Sequence, residues 1–155
     1  MKAKFIEENK DEFINNVLSK CEACTVGMVD LDGNPYVLPF NFGYKDGVLY
    51  IHSGKGGKKE GILKVNNKVC VSFSTDHEMR IQNPDIACSW SMKYRSVLLD
   101  GLLTFVDDFD EKCKALNIIM DHYAKKEFTF SKPAVNNVNV MKIEIIKITA
   151  KEFGY

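Results

Sequence analysis

Apolar and polar positions change period several times along the chain, and each change predicts an element. Over residues 8–20, Phe13, Ile14, Val17 and Leu18 fall on one helical face, with Asn9 or Asp11 available as a cap. A first helix is predicted there. Residues 25–30 and 36–44 are β-prone runs flanking Leu31-Asp32-Gly33-Asn34-Pro35, a composition that predicts a hairpin turn. Lys45-Asp46-Gly47 predicts a second, tighter turn into residues 48–53, and its Asp-Gly pair is the stronger hairpin signal. After a glycine-rich loop, residues 60–65 read as a short helix ended by Asn66-Asn67, and residues 69–75 alternate like a strand. Residues 95–107 form a long apolar strand with Gly101 at a bend or bulge. Asp108 followed by Glu111 resembles a capping box, opening a helix with Cys113, Leu116, Ile119, Met120 and Tyr123 on its apolar face. The last strand is residues 138–150. Residues 75–92 are polar and aperiodic, and are expected to form a long functional or dimer-contacting segment.

Six strands joined mostly by hairpin turns, with helices at the ends and one short helix between strands, predict an α+β chain built on an antiparallel barrel rather than a βαβ array. A single domain over residues 1–155 suits the length. Hydrophobic residues at 45% and charged residues at 27% exclude a disordered chain. Lys+Arg and Asp+Glu balance at 21 each, so no long-range field gathers nucleic acid or an anionic membrane, and neither is expected as a partner. Residues 1–20 are charged and amphipathic, without the apolar core of a signal peptide or a span, so the cytoplasm is expected. Five cysteines, Cys21, Cys24, Cys70, Cys88 and Cys113, agree with thiols in a reducing compartment. Cys70 and Cys113 fall on apolar faces and are expected in the core.

The most informative stretch chemically is His52-Ser53-Gly54-Lys55-Gly56-Gly57-Lys58-Lys59, between a strand and a short helix. Lysines at a helix N-terminus oppose the macrodipole, at about 0.3–1 kcal/mol each when exposed, and a bound anion reverses that sign. Glycines allow close backbone approach and helix-start N–H groups point outward, so a phosphate fits; a plain solvated loop is the alternative. The loop is neither Walker A, since Lys59 follows Gly57-Lys58 where a hydroxyl is needed, nor the dinucleotide fingerprint. Cys21-Glu22-Ala23-Cys24 lacks a second pair or His pair, so it is read as structural or incidental thiols rather than a zinc or redox site. His77 and His122 suit solvated or capping roles, whereas His52 stands at the mouth of the loop, placed to meet an anion or a cofactor edge, with a satisfied, partly buried histidine as the alternative. Pro39, inside an apolar strand, marks a sheet edge or a bulge whose unpaired backbone suits a flat heterocycle, with an ordinary barrel-rim strand as the alternative.

The succession Gly33-x-Pro35, Pro39-Phe40-Asn41-Phe42-Gly43-Tyr44, Leu49-Tyr50-Ile51-His52-Ser53, Gly57-Lys58-Lys59, Tyr94-Arg95-Ser96-Val97 and Gly101 closely resembles the pyridoxamine 5'-phosphate oxidase-like flavin-binding split barrels, in particular their nitroimidazole-resistance branch. The resemblance covers nearly the whole chain. It implies a six-stranded antiparallel split β-barrel with flanking helices, and a homodimer binding FMN, with FAD as the alternative. It places Pro39, Phe40 and Asn41 along the isoalloxazine ring, His52, Ser53, Lys58 and Lys59 on the ribityl phosphate side, and Tyr94, Arg95 and Ser96 approaching from the partner or the sheet beneath. The implied function is an oxidoreductase passing electrons from a reduced nicotinamide to a small acceptor such as a nitroaromatic, with His52 as the catalytic candidate and no metal. The alternatives are a non-catalytic flavin carrier or sensor, or a split barrel binding haem or a deazaflavin. Cys21, Cys24 and residues 76–92 match no motif of that family.

Overall fold

Strand alternation and two short turns organise the sheet. The computed structural model describes residues 2–155; Met1, the first residue of the stretch expected to lack a signal core, lies outside the described residues. The strands are β1 (Lys4–Phe5), β2 (Cys24–Val29), β3 (Pro35–Phe40), β4 (Phe42–Lys45), β5 (Val48–Gly54), β6 (Lys68–Ile81), β7 (Trp90–Val106) and β8 (Val138–Phe153). The helices are α1 (Lys10–Lys20), α2 (Gly57–Val65), α3 (Phe109–Ala124) and α4 (Lys132–Asn136). The strands form one eight-stranded sheet in the order β3-β2-β6-β7-β8-β5-β4, with β1 on β8. The fold is therefore α+β, a large antiparallel sheet with few helices, but with eight strands rather than the six expected. Two differences account for this. The run at 36–44 is two strands broken at Asn41, and β1, at two residues, is too short to show a period. No helix among the described residues is long and apolar enough to cross a membrane.

The chain divides into two compact units: one runs up to Cys21 and includes Ser72–Leu98 and Ile148–Tyr155, and the other is Glu22–Val71 with Leu99–Lys147. In the second, β2 and β3 pair in the expected hairpin, from Cys24↔Phe40 to Val29↔Pro35. Asp30 closes its turn by accepting the N–H groups of Asp32 at 2.9 Å and Asn34 at 2.8 Å. Asp46 (φ 51°) and Gly47 (φ 77°) make the two-residue turn between β4 and β5, matching the left-handed conformation that such a turn requires at both positions. Pro39 lies on β3, at one end of the strand order, where a residue without an N–H is tolerated. Asn41 alone joins β3 to β4, the strand at the other end, so both edges of the order are tied by one residue.

Helix α3 is capped as expected, with the Asp108 carboxylate accepting the Glu111 N–H at 3.0 Å. It packs its backbone directly on β4 at Gly43, where a Cβ would lie 2.6 Å from the Ile118 carbonyl. Gly101 is similarly required: a Cβ there would meet Ile143 and the Glu144 carbonyl oxygen on β8, so close approach rather than a bulge explains this glycine. The buried face of α3 includes Lys112, which periodicity did not predict. Its ammonium donates to the carbonyls of Val135 (3.1 Å) and Val138 (2.8 Å), satisfying the backbone between α4 and β8. Cys113 packs half-buried beside the cluster Ala115, Leu116, Val135 and Val140. Cys70, by contrast, is exposed, contrary to expectation. Val69 and Val71 take the inward positions of β6, so the residue between them must face outward.

In the other unit α1 buries Ile14, Val17 and Leu18, as its periodicity requires. Asn9 occupies its N-cap position in the left-handed region (φ 49°) but makes no side-chain cap bond, so the expected capping is not realised. The region at 75–92 is also not a long irregular segment: β6 runs on to Ile81 and β7 begins at Trp90, with a single 3-10 turn, Ala87–Ser89, in the connection. Its outer strand positions alternate poorly because neither face is deeply buried there. Ser89 Oγ holds the tip, accepting the Asn83 N–H at 3.0 Å and offering its one proton to the carbonyl oxygens of Asn83 and Ile86, at 2.7 and 2.8 Å.

Candidate functional site

The ladder between β5 and β8 sets the site, with His52 opposite Val140, Ser53 opposite Asn139 and Gly54 opposite Val138. The chain then leaves the sheet through Gly54-Lys55-Gly56 and enters α2 at Gly57. Gly56 (φ 79°) and Gly57 (φ 81°) both lie where side chains are strained. A Cβ built on Gly54, Gly56 or Gly57 would meet nothing within 4 Å, so the backbone here faces open space. The first N–H groups of a helix lack acceptors within it, which makes this opening suitable for an anion.

Lys58 is exposed and its ammonium lies 4.7 Å from the centre of the Tyr36 ring on β3. It also faces Asp30, whose carboxyl is held below its ordinary range mainly by Asn34, with Lys58 contributing. Lys59 Nζ reaches only 3.5 Å from the Gly56 carbonyl oxygen, a weak contact that leaves it available. Ser53 Oγ donates to the carbonyl of Gly54 at 3.0 Å. His52 is half-buried, and burial pushes its pKa down, so its imidazole is neutral at pH 7. Its Nδ1 is buried with no hydrogen-bond partner, a condition that costs about 1–3 kcal/mol where it persists.

Sequence reasoning missed two residues that hold this loop from outside it. Glu60, one turn into α2, returns its carboxylate to the Gly56 N–H, and the same oxygen accepts the Asn139 side-chain amide at 2.7 Å. Lys64 Nζ approaches its other oxygen at 2.6 Å. With Lys64, Gly56 and Asn139 all donating, the Glu60 pKa is brought down to about 2. A glutamate just inside a glycine-started helix resembles a capping box and could have drawn notice. Asn139 carried no local signal, because only the β5–β8 register brings it there.

The loop residues His52, Ser53, Lys58 and Lys59 thus gather in one unit with Pro39, Phe40 and Asn41. Pro39 and Asn41 are exposed, whereas Phe40 is buried, so only its backbone is offered to a ligand. Tyr94, Arg95 and Ser96 belong to the other unit. Tyr94 stacks on Phe153 at 6.0 Å, and Arg95 pairs with Asp76 at 2.9 Å and Glu152 at 3.3 Å beneath the Tyr155 ring. Cys21 and Cys24 are buried; Cys21 Sγ lies 3.6 Å from the Ser74 carbonyl oxygen, and burial raises its pKa, which suits a structural thiol. His77 bonds to Ser74 Oγ at 2.7 Å, and His122 packs on Phe42, so neither shares the loop. No group of acidic, His or Cys side chains suited to a metal occurs among the described residues.

A family model described as pyridoxamine 5'-phosphate oxidase matches residues 10–152. The chain belongs to that family. Among solved structures of similar fold, a Bacteroides thetaiotaomicron protein provisionally named a 5-nitroimidazole antibiotic resistance protein is 43% identical, with a TM-score of 0.85 over 98% of this chain and 88% of its own. An FAD- and heme-binding protein from Mycobacterium smegmatis is 20% identical (TM-score 0.79, covering 100% of this chain and 75% of that one). An FAD-binding protein from Mesorhizobium loti is 22% identical (TM-score 0.69, 99% and 100%). At such identity the last two speak for the fold alone. No curated protein matches by sequence. A flavin phosphate suits what the pyridoxamine 5'-phosphate oxidase fold holds here: open left-handed glycines, two lysines with weak present partners, and an orphaned buried imidazole nitrogen at the loop's mouth.

Proposed function

We propose that this chain is an FMN-dependent oxidoreductase of the cytoplasm, passing electrons from a reduced nicotinamide to a small acceptor of the nitroaromatic kind. The observation that carries the reading is the cationic, glycine-opened loop from His52 to Lys59, in a member of the pyridoxamine 5'-phosphate oxidase family. The acceptor class draws its support from the 43% identity to the Bacteroides protein named for 5-nitroimidazole resistance. One short loop with one helix start suits one terminal phosphate, which favours FMN over FAD. When bound, FMN supplies the hydride and electron chemistry.

The chain's own residues then bind and orient. Lys58, Lys59, Ser53 and the first turn of α2 would hold the phosphate, and the exposed edge at Pro39 and Asn41 would lie along the ring system. His52, neutral at pH 7, would donate a hydrogen bond from its N–H or accept a proton at its other ring nitrogen, and is the catalytic candidate. Arg95 is already engaged by Asp76 and Glu152, which makes it a poor choice to balance negative charge added to the ring system. Under anaerobic conditions NADH or NADPH should rapidly bleach the bound flavin, with nitroaromatic substrate restoring its colour. A cofactor that stays oxidised would indicate the non-catalytic carrier instead.

The working assembly we propose is a homodimer, with Tyr94, Arg95 and Ser96 serving the partner's site. Within β7, Val97, Leu99 and Leu103 are buried, and Leu98 is exposed. Exposed apolar side chains stand instead on the β6–β7 hairpin, at Met79, Ile81, Ile86, Trp90 and Met92. Light scattering at micromolar concentration should therefore report twice the chain mass, and Trp90→Glu with Met92→Glu should lower it to one. A flavin-loaded monomer of the unaltered protein would contradict this assembly.

A further inference from the structure

Glu60 presents a difficulty for a phosphate loop, since it brings a carboxylate to the very N–H that opens the helix. A carboxylate there is either a competitor for the phosphate or part of what shapes its cradle, and the surrounding bonds favour the second. Its Oε2 accepts two donors from different elements, Gly56 N–H at the loop and Asn139 Nδ2 on β8, while Lys64 on the next turn neutralises Oε1. To leave, Glu60 would have to abandon all three donors, including the part-buried Asn139 amide.

The register explains why Asn139 is the second jaw. It lies opposite Ser53, the residue from which the loop departs, and Gly54 is the last residue paired to β8. One end of the loop is thus fixed by the ladder and the other by Glu60 reaching the same strand. Between these anchors Gly56 and Gly57 adopt φ values of 79° and 81°. Glycine gains no intrinsic preference for that geometry over many others, so it has to be imposed from outside. Because Lys64 answers the Glu60 charge, Lys55, Lys58 and Lys59 keep the surroundings cationic.

We propose that Glu60 and Asn139 form a clamp that holds the glycine loop in its phosphate-receiving shape, making Glu60 a positioning residue for the phosphate and not its rival. The inference rests on the flavin phosphate reading above. It implies that the phosphate meets the N–H groups of Gly57, Lys58 and Lys59, because Gly56 N–H is already committed.

The test is titration of the full-length apoprotein with FMN and with riboflavin, in Glu60→Ala, Glu60→Gln, Asn139→Ala and the double variant Lys58→Ala/Lys59→Ala, each checked by thermal melting. Loss of a single anchoring bond predicts FMN affinity about tenfold weaker in Glu60→Ala and Asn139→Ala, with riboflavin changed by less than about twofold. Glu60→Gln should stay within about threefold of the unaltered protein, since one amide oxygen can accept both N–H groups. Asn139→Ser replaces Asn139→Ala if the latter does not fold. Tighter FMN binding in Glu60→Ala would overturn the clamp in favour of a competing carboxylate. Equal losses for both ligands, or Glu60→Gln as weak as Glu60→Ala, would also overturn it. If the clamp variants keep the unaltered FMN-to-riboflavin ratio while the lysine variant loses it, the clamp alone fails; if the lysine variant keeps it too, the phosphate site itself is elsewhere.

Discussion

Replacing Lys58 and Lys59 together by Ala should abolish most FMN binding while leaving riboflavin binding and the fold nearly intact. Charge-assisted contacts to phosphate contribute about 1.5–3 kcal/mol each, so losing both costs about 3–6 kcal/mol when their effects add, roughly two to four orders of magnitude in Kd. Neither lysine is committed enough in the structure to prevent this role. The Lys58 ammonium rests over Tyr36, an exposed cation–π contact of about 0.5–1 kcal/mol, and Lys59 makes only its long approach to Gly56. In the apoprotein that small loss is offset by removal of two cations from a helix N-terminus, about 0.3–1 kcal/mol each. Thermal melts without ligand should therefore be almost unchanged. Isothermal titration with the two ligands checks the prediction, and equal weakening for both would refute it.

The second large effect is structural. Gly43→Ala should destabilise the protein by about 3 kcal/mol or more, a fall in Tm of about 6–12 °C for a chain of this size. The added Cβ would lie 2.6 Å from the Ile118 carbonyl carbon and oxygen and 2.7 Å from the Ile119 nitrogen, so the clash is with helix backbone rather than with a side chain that could turn aside. Relief requires α3 to retreat from β4, unpacking Ile119 and Leu116, both buried. Gly61→Ala gives the opposite sign. That glycine is exposed within α2 with nothing within 4 Å of a built Cβ, and alanine there should add about 0.5–1 kcal/mol through helix propensity. Melting both variants beside the unaltered protein checks the pair, and a Gly43→Ala protein that melts like the parent would show that α3 does not bear on β4 as described.

Local chemistry made much of this legible in the sequence. Asp46-Gly47 fixes its turn through backbone conformation, Asp108 and Glu111 announce the start of α3, and Pro39 marks a strand at an edge, each by a mechanism that acts within a few residues. What stayed hidden depends on distant partners. The run at 36–44 divides at Asn41 into strands that lie at opposite ends of the sheet order, and Lys112 is buried because two carbonyls many residues away receive its ammonium. The strands at 75–81 and 90–92 bury neither face enough to alternate, so they read as loop. At the site, glycines and lysines betray the anion loop, while Asn139 is brought to it only by register. Phe40 shows the reverse error of emphasis: its neighbours are exposed, but its own side chain belongs to the core.

The central claim is that the loop from His52 to Lys59 holds the phosphate of FMN. Its most direct test is the absorbance spectrum of the purified protein together with the mass of the cofactor released on denaturation. The account predicts a yellow protein with oxidised-flavin bands, releasing FMN at about one per chain. Release of haem alone, or no cofactor retained even after incubation with FMN, would contradict it.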